Sequence, residues 1–377
     1  MKTTLYVLLI GYCTLLGLPA MASTPAEALK AALVPNASIV FFSDLERASK
    51  SPLTGQFEQF REQVNVIQQG GMPDQLAKWN DLATFAEGMG KDLGVKPEDT
   101  LRTLVSINLA QWTFGQKMNF QQMDMVFASE FKQPIEKKKL RTALEENSVL
   151  GGVESIIDEM EIQGVPVVSV FNPDAPADAM FTQLFVAMPC DGRVLFFGGE
   201  AAVKSALGRL ASGKPVEYQE GLAEMQQGTK DSDSFFLFAP TEPMRTKIAE
   251  FAQQQQATNP AMGGIMAGFA KMKGTVFTVK SGDKIDFVFS VLMATAEDAT
   301  LVKSMLMDTM VMPSLKMMMM QKIGKMTPML ESMKTEQKGN AASFLASVTQ
   351  EDITIFAEVF KPAPENGAAA PVGIPAQ

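Results

Sequence analysis

The stretch from Ser314 to Met326 reads SLKMMMMQKIGKM. Its thioethers are soft ligands of the kind Cu(I) favours. At about 100° per residue, however, Met317 to Met320 point all round a helix and cannot converge on one ion. Only pairs three or four apart share a face: Met307 with Met310, Met317 with Met320, Met326 with Met329, and Met329 with Met333. Such pairs on neighbouring helices could complete a three-sulfur site. Methionine is equally an adaptable packing residue and a helix former, and no His or Cys stands beside the run. The expectation is an apolar helix that packs on a sheet or a ligand. Met317, Met320, Met326 and Met329 are its candidate ligand-binding residues, with no metal and no cofactor. Titration against a competing Cu(I) chelator is then expected to find no tight stoichiometric site.

Other reactive side chains are few. The chain has no histidine, which excludes Ser-His-Asp and Cys-His catalysis and every His-ligated zinc or copper site. SEFK, Ser129 to Lys132, has the Ser-x-x-Lys spacing of serine–lysine acyl enzymes. The downstream Ser-Asp-Asn and Lys-Thr-Gly elements of those enzymes are missing: SDS at Ser232 and KGT at Lys273 do not match. The acidic group Glu154, Asp158, Glu159 and Glu161 could hold calcium or form a carboxylate pair. Without a glycine-bearing calcium loop, it reads as one solvated face of a helix. Cys190 sits at a turn with no base nearby. No phosphate loop, dinucleotide fingerprint or zinc knuckle is present.

The elements that must position these residues alternate between strands and helices. SIVFF (Ser38 to Phe42), TLVSINLA (Thr103 to Ala110) and MDMVFASEF (Met123 to Phe131) read as strands, the last two as an antiparallel pair. Helical spacing of Phe57, Phe60, Val64 and Ile67 follows the first strand, and a second helix runs from Asp74 to Gly94. PIEKKKLRTALEEN is a helix with Pro134 in its first turn. VPVVSVF, QLFVAMP and RVLFFGG are strands, the last two joined by CDG, and EAAVKSALGRLA is a helix. A similar order returns from DSFFLFAP (Asp233 to Pro240) onward, through the helix TEPMRTKIAEFAQQQQ and the hairpin GTVFTVK–SGD–KIDFVFSVLMA. The helix AEDATLVKSMLMDTMV and the methionine region come next. A last hairpin is expected from ASFLASV and DITIFAEVF around TQED.

These readings predict an α+β fold of two tandem α+β units, with mainly antiparallel sheets covered by helices. The units span 23–212 and 213–361, joined near ASGKPVEY, and a Pro/Ala/Gly tail at 362–377 is expected to be disordered. Residues 1–22 read as a secretory signal peptide. Lys2 is its n-region, Leu5 to Leu18 its apolar core and Ala20-Met21-Ala22 its cleavage site. The core is short of the roughly 20 residues a bilayer span needs, and Tyr12 before Cys13 does not suit lipoprotein processing. The mature chain is thus expected to begin at Ser23 in the bacterial envelope, periplasmic or secreted, with Cys190 its one thiol and no further membrane span. Mass spectrometry of the native N-terminus checks this.

The formal net charge of −9 gives no reason to seek nucleic acid or an anionic membrane surface. The opening ALVPNASIVFFSDLERASKSPL resembles that of a loose group of uncharacterised secreted bacterial α+β proteins. The resemblance lies in Pro35, the strand Ile39 to Phe42, Asp44-Leu45 and Ser51-Pro52-Leu53, and it brings no assigned activity. Adjacent aromatics such as Phe41 and Phe42 place one ring on each side of a sheet, so both sides need cover. The functional expectation is a non-enzymatic envelope protein that binds an apolar ligand or a protein partner beneath the segment Met305 to Met333. A histidine-free hydrolase, or a methionine-rich copper or oxidant buffer, is the alternative.

Overall fold

The computed structural model describes residues 23–55, 90–91, 93–110, 123–146, 156–174, 182–214, 216, 218 and 221–359. The expected signal peptide and the tail at 362–377 lie outside the described residues. So do most of the helices expected between residues 56 and 92.

In chain order, α1 (Pro25–Ala31), β1 (Ile39–Asp44) and the short α2 (Leu45–Ala48) precede the pair β2 (Thr100–Asn108) and β3 (Asp124–Phe131). α3 (Lys137–Glu146), β4 (Ile156–Ile162), β5 (Val165–Phe171), β6 (Gln183–Ala187), β7 (Val194–Gly198) and α4 (Glu200–Ser212) follow. The second half opens with α5 (Leu222–Gln227), β8 (Ser234–Phe238), α6 (Glu242–Thr258) and α7 (Pro260–Ala270). It continues through β9 (Met272–Ser281) and β10 (Ile285–Met293). α8 (Ala296–Leu301), a π-helix (Val302–Val311) and α9 (Met312–Ile323) then run on without a break. α10 (Pro328–Ser332), β11 (Lys334–Lys338), β12 (Ala341–Val348) and α11 (Gln350–Val359) close the described chain.

The strands join in one 12-stranded sheet, ordered β11-β12-β10-β9-β8-β1-β2-β3-β7-β6-β5-β4, and every pairing is antiparallel. The fold is therefore α+β. Strands β1 to β7 fill one half of the sheet and β8 to β12 the other. The halves meet at β1 and β8, where Val40 pairs with Leu237 and Phe41 with Phe236.

Alternation along the strands separates two apolar layers. On the front face Val40, Leu104, Phe196 and Leu237 pack with Leu29 of α1, Val203 of α4 and Leu222 of α5. On the back face Ile107, Phe127 and Leu195 pack with Leu140 of α3 and Met244 of α6. Further along the same back face, Ile285, Ala346 and Val348 lie under Ile323 of α9, Leu330 of α10 and Phe356 of α11. Side chains as fully buried as Phe185, Phe196 and Leu195 each stabilise the fold by about 1.5–3 kcal/mol.

Three segments depart from expectation. DITIFAEVF is helix α11 rather than a strand. Thr349 Oγ1 donates to Asp352 Oδ2 at 2.7 Å, and the same carboxylate oxygen accepts from Thr349 N at 2.8 Å, which starts a helix. The hairpin partner of β12 is instead the polar strand β11, paired from Lys334↔Leu345 to Lys338↔Ala341, with β10 on its other side. The acidic group around Asp158 is not a helix face but strand β4 at the sheet edge, turning back into β5 through Gln163 and Gly164, both at positive φ. Charge on an edge strand discourages pairing with another chain. Lastly, α3 begins at Lys137, three residues after Pro134.

Candidate functional site

α1 begins with a capping box: the backbone N–H of Glu27 donates to Thr24 Oγ1, and Glu27 Oε2 accepts from Thr24 N at 2.8 Å. Its far end is held by Arg209 of α4, which donates to Ala31 O at 2.9 Å and Leu33 O at 2.7 Å. Val34 N donates to the buried Ser106 hydroxyl of β2 at 2.9 Å. α5 is entered through Gly221 at φ 88°, and Gln226 Nε2 donates to the Tyr218 hydroxyl at 3.2 Å.

Between these two helices and the middle of the sheet lies a cavity of about 300 Å³. Its floor is Val40 and Phe42 of β1, Leu104 of β2, and Phe235 and Leu237 of β8. Leu29 and Leu33 close one side and Leu222 the other. Phe42 and Phe235 stack with centroids 5.2 Å apart across the β1–β8 join. The volume sits at the lower end of the range for small-molecule sites, about 300–1,000 Å³. Polar groups stand at its rim: Lys30, Tyr218, Gln226 and Arg102. A second, more polar cleft of about 490 Å³ adjoins it and shares Phe42, Gln226 and Phe235.

Arg102 is committed to carboxylates. Its Nη1 donates to Glu130 Oε2 at 3.1 Å and its Nε to Asp44 Oδ2 at 3.3 Å, with Glu46 at 3.9 Å. Glu130 is buried and also faces Arg193 at 3.6 Å. Nearby, Arg47 lies 2.9 Å from the buried Asp233. Of the two cations at the rim, Arg102 is thus compensated, while Lys30 is exposed to solvent. Among the described lining residues no nucleophile stands beside a base, and the apolar walls can exclude water from an apolar group.

The four candidate methionines do not converge on one another or on this cavity. Met317 and Met320 are exposed on α9 and Met326 is exposed beyond it. Met329 is buried with Leu330, Ile353 and Phe356. One face of α9 does cover the sheet, through Met312, Leu315, Met319 and Ile323. Ser129 lies within β3 opposite Thr103, and Lys132 follows the strand, exposed. Glu159 pairs with Lys137 at 2.5 Å and Arg141 at 2.9 Å, and these contacts hold its carboxyl below the usual range. Glu154 lies outside the described residues.

Cys190 is half-buried, at φ 55°, and donates from Sγ to Ser23 O at 3.1 Å. Burial pushes its thiol up from the ordinary range. The native protein is therefore expected to react with a disulfide reagent at pH 8 at least tenfold more slowly than the urea-unfolded chain. Equal rates would show an accessible thiol.

The cavity escaped the sequence reading. Its walls come from residues some two hundred positions apart, and α5, GLAEMQQG, is too short to show a helical period. The one local signal is Leu222 and Met225, three apart after a glycine.

No family model matches the chain, and no curated protein matches it. One solved structure, crystal form I of TP0453, aligns with 88% of this chain and 96% of its own at 7% identity, with a TM-score of 0.38. Likeness at that level carries no argument about fold or function.

Proposed function

We propose that this is an exported, non-enzymatic binding protein of the bacterial envelope, and that the cavity between α1 and α5 holds a small apolar ligand. The observation that carries the reading is the cavity's make-up: aliphatic and phenylalanine walls, with polar groups confined to the rim. Water in such a space finds few hydrogen-bond partners, so an apolar ligand displaces it at a gain. A polar end would meet the Tyr218 hydroxyl, the Gln226 amide and the Lys30 ammonium. Export rests on Lys2, the apolar run Leu5 to Leu18 and the Ala20-Met21-Ala22 site.

Titration with the uncharged fluorophore N-phenyl-1-naphthylamine tests the site. The chain is expected to enhance its emission and saturate at one equivalent. Leu104→Trp places an indole on the cavity floor and is expected to weaken binding at least tenfold. Circular dichroism would confirm that the variant keeps the sheet. Unsaturable binding, or equal binding by the variant, would remove the cavity from consideration.

A further inference from the structure

Phe42, Phe235 and Gln226 line both the cavity of about 300 Å³ and the polar cleft of about 490 Å³. Polarity changes along the strands that cross the two spaces. On β1 the front-face positions run Val40, Phe42, Asp44, with successive members about 6.7 Å apart. Val40 lines the cavity alone, Phe42 both spaces and Asp44 the cleft alone. β8 runs antiparallel beside it, with Leu237 opposite Val40 and Phe235 opposite Phe42. An apolar end thus leads to a polar one, past two stacked rings and Gln226.

The cleft is richer in open donors than in open acceptors. Asp44 is the one carboxylate among its described lining residues, and both its oxygens are engaged. Oδ1 accepts from Arg47 N at 2.8 Å and Oδ2 from Arg102 Nε at 3.3 Å. By contrast, Lys230 and Gln227 are exposed and Ser232 is half-buried. Arg47 also lines the cleft, with Nε 2.9 Å from the buried Asp233 and Nη2 donating to Asp231 O at 3.1 Å. The exposed Asp231, next to Lys230 in the chain, is outside the lining. A head that accepts hydrogen bonds fits this end, whereas a cationic head would meet Lys230.

We infer that the ligand is a single-chain acyl amphiphile, with its hydrocarbon chain in the cavity and its carboxyl or carboxyl-ester head in the cleft, against Gln226, Gln227, Lys230 and Ser232. The inference rests on the cavity being a binding site and names what fills it. At about 30 Å³ for each methylene-sized group, the cavity takes a chain on the order of ten carbons. A wholly apolar ligand would leave the cleft to water, whereas an amphiphile occupies both spaces. A free fatty acid and its glycerol monoester share the chain and the acceptor, and the assay separates them.

Displacement of bound N-phenyl-1-naphthylamine from the full chain is the test. Decanoate, monodecanoylglycerol and decyltrimethylammonium carry chains of equal length and differ at the head. At least one acyl compound is expected to displace the dye at a tenfold lower concentration than decyltrimethylammonium, although the net charge of −9 favours the cation. The stronger of the two acyl compounds identifies the source. Each methylene removed from its chain, down to seven carbons, should weaken it roughly fourfold. Gln227, Lys230 and Ser232 line the cleft and not the cavity. With all three replaced by alanine, the ratio of acyl affinity to dye affinity should fall at least tenfold. The inference is overturned, and the cavity kept, if the dye binds and saturates but the ammonium compound displaces it as well as both acyl compounds do. It is overturned in the same way if the triple variant keeps the parent ratio. Absence of saturable dye binding overturns the cavity reading and this inference with it.

Discussion

Replacing Asp352 by alanine is expected to destabilise the protein by about 4 kcal/mol, read as a shift in the urea midpoint. The carboxylate is fully buried and ties two helices together. Oδ1 accepts from Met329 N of α10 at 2.9 Å, and Oδ2 accepts from Thr349 N and Oγ1 at the start of α11. Alanine would strand these donors away from water, at about 1–3 kcal/mol for each buried group. The effect should spread, because α10 and α11 form the bed under α9 with Leu330, Ile353 and Phe356. Asp352→Asn retains one acceptor oxygen and should lose about half as much. A midpoint shift worth under about 1 kcal/mol for the alanine variant would mean that packing alone positions these helices.

That residue also shows where the sequence misleads. Thr349 and Asp352 form a helix-starting box, yet the β-branched residues of DITIF read as a strand. The apolar positions Ile353 and Phe356, three apart, point inward as a helix requires. The strands show a cleaner division. Every inner strand was legible as an apolar run, while the two edge strands, β4 and β11, were not. IIDEMEI and KTEQK sit where one side of the ladder faces water, so charge serves them better than an apolar run. Edge strands lack the signal by which inner strands are recognised. Phe41 and Phe42 illustrate what alternation does supply: Phe42 joins the front layer, and Phe41 lies on the back face in register with Phe236.

Gly274→Ala is expected to cost about 3 kcal/mol and to weaken naphthylamine binding as well, because this glycine lets α5 reach the sheet. Gly274 is on β9, on the front face, opposite Leu292. A Cβ there would press on the tip of Met225, buried beneath α5, and stand 2.6 Å from the carbonyl oxygen of Phe238. A methionine tip can turn aside, whereas a backbone oxygen within the β8–β9 ladder cannot. Both strain terms therefore act, and only one of them can be relieved from the side chain. Met225→Ala removes that term while opening a void, at about 2–5 kcal/mol by itself. The double variant should then be more stable than the sum of the single losses by at least about 1 kcal/mol. It should also recover part of the dye binding, since Leu222 and Gln226 could settle back over Leu237 and Phe235. If the two losses add within about 0.5 kcal/mol, Met225 is not in the way, and α5 owes its seat over the cavity to something other than this glycine.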